Sequence, residues 1–216
     1  MRLRALPEAG LYALLDLEVL AARGAEDLCE VAEALVAGGA RVLQLRAKNV
    51  STATFVEAAR GVAAVTRARG VSFIVNDRVD VARLVEADGV HLGQDDLSVE
   101  AARAQLGPKA LIGLSTHTQQ QWVLAQGSGA DYLGLGPVFA TSTKANADPV
   151  VGVAALAAAC AASRLPVAAI GGVRLADVAA LRAAGAHWSA VVSDLYAHGD
   201  LAARARAFCE AWSGPS

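Results

Sequence analysis

Arg46 and Lys48 stand two positions apart just beyond a short apolar run at 41–45, so two cations leave one strand end toward the same side. The pair suits an oligoanion: the guanidinium offers bidentate hydrogen bonds and the ammonium a point charge. Taken singly, each also fits a surface ion pair. Asp77 follows a second apolar run at 72–75, and Asp96 lies past a third at 89–92. Two carboxylates beside those cations would repel a pyrophosphate, whereas a hard divalent ion held by oxygen ligands bridges them to the phosphates. The chemistry expected at this cluster is Mg2+-assisted handling of a diphosphate, with Asp77 and Asp96 as metal ligands. A helix N-cap for Asp77 and a turn carboxylate for Asp96 or Asp95 are the structural alternatives.

Further along, the segment 136–144 is dense in hydroxyls and ends in Lys144. Such a loop can fold over a substrate and neutralise a leaving group; a plain solvated loop is the alternative. Gly171-Gly172 and Ser193 follow the last two apolar runs, where many barrels bind a phosphate monoester through backbone N–H groups. His91, inside a strand, reads as a packed histidine in preference to a catalyst. His117 fits a proton-transfer role and a helix N-terminal position equally well.

Positioning these groups requires a frame, and the chain repeats one. Short β-rich runs at 11–15, 41–45, 72–75, 89–92, 111–114, 132–135, 167–170 and 189–192 alternate with helical stretches near 25–37, 52–69, 78–86, 98–106, 118–127, 152–163, 175–184 and 200–212. Eight strand–helix repeats without a hairpin or linker predict a closed (β/α)8 TIM barrel, a single α/β domain over residues 1–216. Three phrases, Gly38-Gly39-Ala40, Gly129-Ala130-Asp131 and Gly185-Ala186-His187, place glycine where a helix ends and a strand begins. At the opposite strand ends the apolar runs stop in polar residues, and all those loops open on the face where barrel enzymes keep their active sites.

The bulk properties narrow the function classes. With 216 residues, 55% of them hydrophobic, the chain can bury a barrel-sized core. A formal charge of -2 provides no global field for nucleic acid or an anionic membrane, so any anion site is local. Cys29, Cys160 and Cys209 are far apart, form no Cys-x-x-Cys pair, and read as unreactive thiols of a reducing compartment. No signal peptide and no membrane span is expected, which predicts a cytoplasmic enzyme. Its expected partners are small phosphorylated substrates, with neither nucleic acid nor membrane among them; a homo-oligomer is left open.

Several phrases together strongly resemble the thiamine-phosphate synthase family, also called thiamine-phosphate pyrophosphorylases. They are Gln44-Leu45-Arg46-x-Lys48-Asn49, Val75-Asn76-Asp77-Arg78, the run from Ala87 through Gln94 with Asp96, Ser115-x-His117-Thr118, Gly134-x-Gly136-Pro137-Val138-Phe139, Thr141-x-Thr143-Lys144 and Ile170-Gly171-Gly172, and they cover nearly the whole chain. The resemblance implies a barrel that joins 4-amino-2-methyl-5-hydroxymethylpyrimidine diphosphate to 4-methyl-5-(2-phosphoethyl)thiazole and releases pyrophosphate. It implies that Gln44, Arg46, Lys48, Asn76, Ser115 and Lys144 surround the pyrimidine diphosphate, that Asp77 and Asp96 hold Mg2+, and that Thr141, Thr143, Gly172, Val192 and Ser193 surround the thiazole phosphate. Arg46, Lys48 and Lys144 would then carry the catalysis, stabilising the charge that grows on the departing pyrophosphate.

The chain departs from the family pattern at Ala47, Ala140, Ala145-Asn146, His187-Trp188 and Asp194. Two other functions compete. Thiazole tautomerases resemble the synthases but generally lack the complete charged set, which this chain retains. The same retention argues against a non-catalytic binder of thiamine intermediates.

Overall fold

The computed structural model describes residues 6–24, 27–141, 148–197 and 199–214. Eight parallel strands close a barrel in chain order: β1 (Gly10–Asp16), β2 (Val42–Arg46), β3 (Ser72–Asn76), β4 (Gly89–Leu92), β5 (Leu111–Thr116), β6 (Tyr132–Leu135), β7 (Val167–Ile170) and β8 (Trp188–Val191), which returns to β1. Around it, among the described residues, run α1 (Leu17–Ala22), α2 (Leu28–Ala37), α3 (Thr52–Arg69), α4 (Val79–Leu84), α5 (Val99–Leu106), α6 (Gln119–Ala125), α7 (Gly152–Ala162), α8 (Val178–Ala183) and α9 (Leu201–Ser213). The architecture is the (β/α)8 barrel that the alternating pattern predicts.

The strands read as almost unbroken apolar runs because both of their faces are buried. Outward residues such as Leu15, Leu43, Leu45, Phe73, Val90 and Ile112 join the helices in one large core. Inward residues, among them Tyr12, Leu14, Val42, Ile74, Leu111, Tyr132 and Trp188, fill the barrel itself. Each fully buried leucine or phenylalanine contributes about 1.5–3 kcal/mol of transfer free energy. Gly39, Gly129 and Gly185, all at positive φ, make the turns from helices back into strands at the amino-terminal end.

That end also accounts for Trp188. Its ring meets Tyr12 and Tyr132 edge-on at centroid distances of 6.1 and 5.4 Å, and its Nε1 donates to the Glu8 carbonyl at 2.9 Å. His187 packs against the Trp188 ring at 4.2 Å. His187 and Trp188, two of the departures from the family pattern, therefore pack and tie down the amino-terminal end of the barrel.

Some boundaries differ from expectation. The second strand runs over 42–46 in place of 41–45, the eighth over 188–191 in place of 189–192, and α2 starts at Leu28 behind the Asp27 cap. The additional helix α1 has a local cause: the Asp16 carboxylate accepts from the Glu18 and Val19 amides, both at 3.1 Å, so β1 passes directly into a helical turn. No helix among the described residues is long and apolar enough to cross a membrane.

Candidate active site

The carboxyl ends of the strands collect the charged groups. Parallel register sets Asp16 beside Arg46 on β1 and β2, and the guanidinium pairs with the Asp16 carboxylate. Asp16 is 1% exposed and Arg46 11%, so this is a pair inside the barrel mouth, unlike the surface pair considered from sequence. Lys48 reaches across to Asp77, with Nζ 2.5 Å from Oδ2.

Asp77 does not cap a helix: Arg78 occupies the N-cap of α4, and no side chain caps it. Instead Asp77 adopts φ 60°, rare for a residue with a side chain, and its amide donates to the His91 carbonyl at 2.8 Å. Such backbone conformations cost about 1–3 kcal/mol and concentrate at functional sites. The Asp77 carboxylate is pushed above its ordinary pKa, first by burial and then by the adjoining Asp96, while Lys48 opposes the shift. Asp96 accepts from the Gly93 amide at 2.7 Å, so it serves its own turn while standing next to Asp77.

Two pockets open here. The polar one, about 940 Å³, holds Arg46, Lys48, Asn76, Asp77, Asp95 and Asp96 along with Gln94 and Gln121. The deeper one, about 750 Å³, has apolar walls from Leu14, Pro137, Ile170, Val173 and Val192, with Thr141, Gly171, Gly172 and Ser193 at its edge. Arg46, Ser115, His117 and Asp148 border both. Among the described residues the polar pocket carries two cations, Arg46 and Lys48, against four carboxylates, Asp77, Asp95, Asp96 and Asp148. An oligoanion entering it needs further positive charge.

At the deeper pocket the glycines answer to the chain as well as to any ligand. Val138 and Phe139 amides donate to the Ile170 and Gly171 carbonyls at 2.8 and 2.9 Å, knitting the loops after β6 and β7 together. Gly172, at φ 65°, has no room for a side chain, because a Cβ would lie 2.3 Å from the Ala140 carbonyl oxygen. Asp194, a departure from the family pattern next to Ser193, is committed elsewhere: it accepts from the Leu175 amide at 3.0 Å and pairs with Arg204 at 2.5 Å.

The structure thus brings together Arg46, Lys48, Asn76, Asp77, Asp96 and Ser115 in one pocket, and Thr141, Gly172, Val192 and Ser193 in the other. Gln44 lies beneath them, 4% exposed in the barrel interior, with its amide nitrogen donating to Tyr12 at 2.8 Å. Thr143 and Lys144 lie outside the described residues. Sequence reasoning missed Asp16, although it obeys the rule applied to every other strand: an apolar run ending in a polar residue at the mouth. It also missed Asp148, whose carboxylate lies 3.4 Å from His117 Nδ1. His117 precedes the helix cap at Thr118 and approaches the Gly136 carbonyl at 2.6 Å.

A parallel barrel with a mouth that holds cations, paired carboxylates and a glycine-edged apolar pocket defines a barrel enzyme of anionic substrates. Residues 12–195 match the family model described as thiamine monophosphate synthase. The chain is 49% identical over 195 residues to the thiamine-phosphate synthase of Laribacter hongkongensis, covering 90% of this chain and 91% of that one. It is 47% identical over 185 residues to that of Myxococcus xanthus, covering 86% and 85%. The solved thiamine phosphate pyrophosphorylase of Pyrococcus furiosus superposes with a TM-score of 0.84 at 30% identity, covering 95% of this chain and 96% of that one. The chain belongs to the thiamine monophosphate synthase family and is a transferase enzyme.

Proposed function

We propose that this chain forms thiamine phosphate by coupling 4-amino-2-methyl-5-hydroxymethylpyrimidine diphosphate to 4-methyl-5-(2-phosphoethyl)thiazole, with Mg2+ as its cofactor. The observation that carries the reading is the pair of adjoining pockets that share Arg46, Ser115, His117 and Asp148. The polar pocket suits the diphosphate, and the apolar one suits the thiazole ring, with Gly172 and Ser193 at the phosphate end. The four shared residues then border the place where the two substrates meet.

The donor set fits a hard divalent cation. Asp77 and Asp96 are adjoining carboxylates, and Mg2+ sites typically take one or two carboxylates and complete their shell with substrate phosphate and water. When bound there, Mg2+ would neutralise charge on the diphosphate. The chain's own residues do the remainder. Arg46, fixed by Asp16, and Lys48 present cations toward the diphosphate, and by the family resemblance Lys144 joins them. Their attraction strengthens as the C–O bond breaks and charge gathers on the leaving pyrophosphate. The aminopyrimidine disperses the positive charge left on its methylene carbon, and the thiazole nitrogen closes the new C–N bond with its lone pair. That nitrogen carries no proton to remove, so positioning in the apolar pocket replaces general-base work.

The test combines purified protein, both substrates and Mg2+, and follows thiamine phosphate and pyrophosphate. Equimolar formation of the two, lost on adding EDTA and in Asp77→Ala or Asp96→Ala, is the expected result. Turnover undiminished by EDTA would overturn the metal assignment. Isomerisation of a thiazole carboxylate phosphate without coupling would replace the reading with that of a tautomerase.

A further inference from the structure

The barrel interior holds an unbroken chain of polar contacts directly below the two pockets. Gln44 Nε2 donates to Tyr12 Oη at 2.8 Å, Tyr12 Oη lies 2.8 Å from Tyr132 Oη, Tyr132 Oη lies 3.1 Å from His91 Nδ1, and His91 Nε2 lies 2.9 Å from Ser115 Oγ. Five residues from β2, β1, β6, β4 and β5 are linked, and the far end is one of the four residues common to both pockets.

The interior is shaped around this chain. A Cβ on Gly113 would fall 2.2 Å from Tyr132 Cζ and 2.3 Å from His91 Nδ1, and one on Gly134 would fall 3.0 Å from His91 Cε1. Two inward positions are therefore left without side chains where the Tyr132 and His91 rings lie. Both tyrosines are 2% exposed, and burial raises the pKa of each phenol, so both keep their protons.

Each phenol has a single proton, which gives the chain a direction. Tyr12 accepts from Gln44, so its own proton goes to Tyr132. Tyr132 then spends its proton on His91 Nδ1. The imidazole is left protonated on Nε2, which donates to Ser115 Oγ, and the Ser115 proton is free for the pocket. With the opposite imidazole tautomer, Tyr12 would face two donors and its buried proton would lack an acceptor.

We propose that Tyr12, Tyr132 and His91 are positioning residues that fix Ser115 as a hydrogen-bond donor toward the substrates. On the proposed function, that donor faces anionic diphosphate oxygen, where an accepting hydroxyl would repel. The inference rests on that function for its catalytic consequence but not for the hydrogen-bond order itself.

The order is read first, in the wild-type protein without substrates, from 15N imidazole NMR, with His91 identified by the loss of its signals in His91→Gln. A proton on Nε2 and an unprotonated Nδ1 are expected; a proton on Nδ1 would overturn the assignment. Kinetics read the consequence. Tyr132→Phe keeps the ring and removes the link, and should lower kcat by about tenfold, a fraction of the loss from deleting an oxyanion donor, while KM for the pyrimidine diphosphate stays nearly unchanged. In a Ser115→Ala background the same substitution should cost nothing further. An equal loss in both backgrounds would overturn the role through Ser115. Tyr12→Phe cuts the next link and carries the same comparison should Tyr132→Phe fail to fold. If the wild-type protein makes no thiamine phosphate, the proposed function falls while the NMR result still decides the hydrogen-bond order.

Discussion

Asp16→Asn isolates what the buried partner of Arg46 contributes. The amide retains one oxygen for the Glu18 and Val19 amides that begin α1, so the cap survives. What changes is the second atom, which turns from a carboxylate oxygen facing the guanidinium into a donor facing a cation. Removing one partner of a buried ion pair costs about 3–5 kcal/mol. Arg46 is 11% exposed and borders both pockets, so water offsets part of that, and a loss of about 2–3 kcal/mol is expected. For a chain of this length the melting temperature should fall by about 5–10 °C. Urea unfolding and thermal scanning measure the loss. The double variant Asp16→Asn/Arg46→Met then decides its cause: with the unpaired charge removed, it should recover part of the stability lost by the single variant. A double variant less stable than Asp16→Asn, or a single variant that melts with the wild type, would refute the reasoning.

Three further outcomes follow from local geometry. Gly172→Ala should destabilise by about 1–3 kcal/mol in urea unfolding, because φ 65° is strained for alanine and its Cβ meets the Ala140 carbonyl; an unchanged midpoint would contradict the close approach. Ser189→Ala should raise stability by about 1 kcal/mol, since among the described residues the buried Ser189 hydroxyl has no hydrogen-bond partner; a lower midpoint would mean that the hydroxyl is bonded. Burial pushes the Cys160 thiol up to about 11, so its thiolate is scarce near neutrality. Its alkylation by iodoacetamide at pH 8 should run about a hundredfold slower than that of free cysteine and accelerate toward pH 10; a rate matching free cysteine would refute the shift.

The barrel was legible because helical and strand periods alternate eight times, and because a parallel strand buried on both faces leaves a conspicuous apolar run. The mouth was legible wherever such a run stopped at a charge. What escaped was contact between distant strands. Asp16 ends β1 as Arg46 ends β2, yet only the register shows that they are neighbours. Tyr12 and Tyr132 lie inside β-rich runs, and sequence spacing does not reveal that their hydroxyls meet across the barrel at 2.8 Å. Asp194 and Trp188 stood out only as departures from the family pattern, and acquired structural roles when Arg204 and the Glu8 carbonyl were located beside them.

The excess of carboxylates in the polar pocket also has a thermodynamic meaning. With four acids against two bases among the described residues, the pocket carries a formal excess of two negative charges, which a divalent cation balances and a diphosphate alone would enlarge. On the proposed function, a divalent cation held by Asp77 and Asp96 and the diphosphate would raise each other's affinity, and linkage makes the gain reciprocal, the same factor for each. On that reading the order of charge matters: the cation prepares the pocket, and the metal-free protein would discriminate against anions that arrive without their metal.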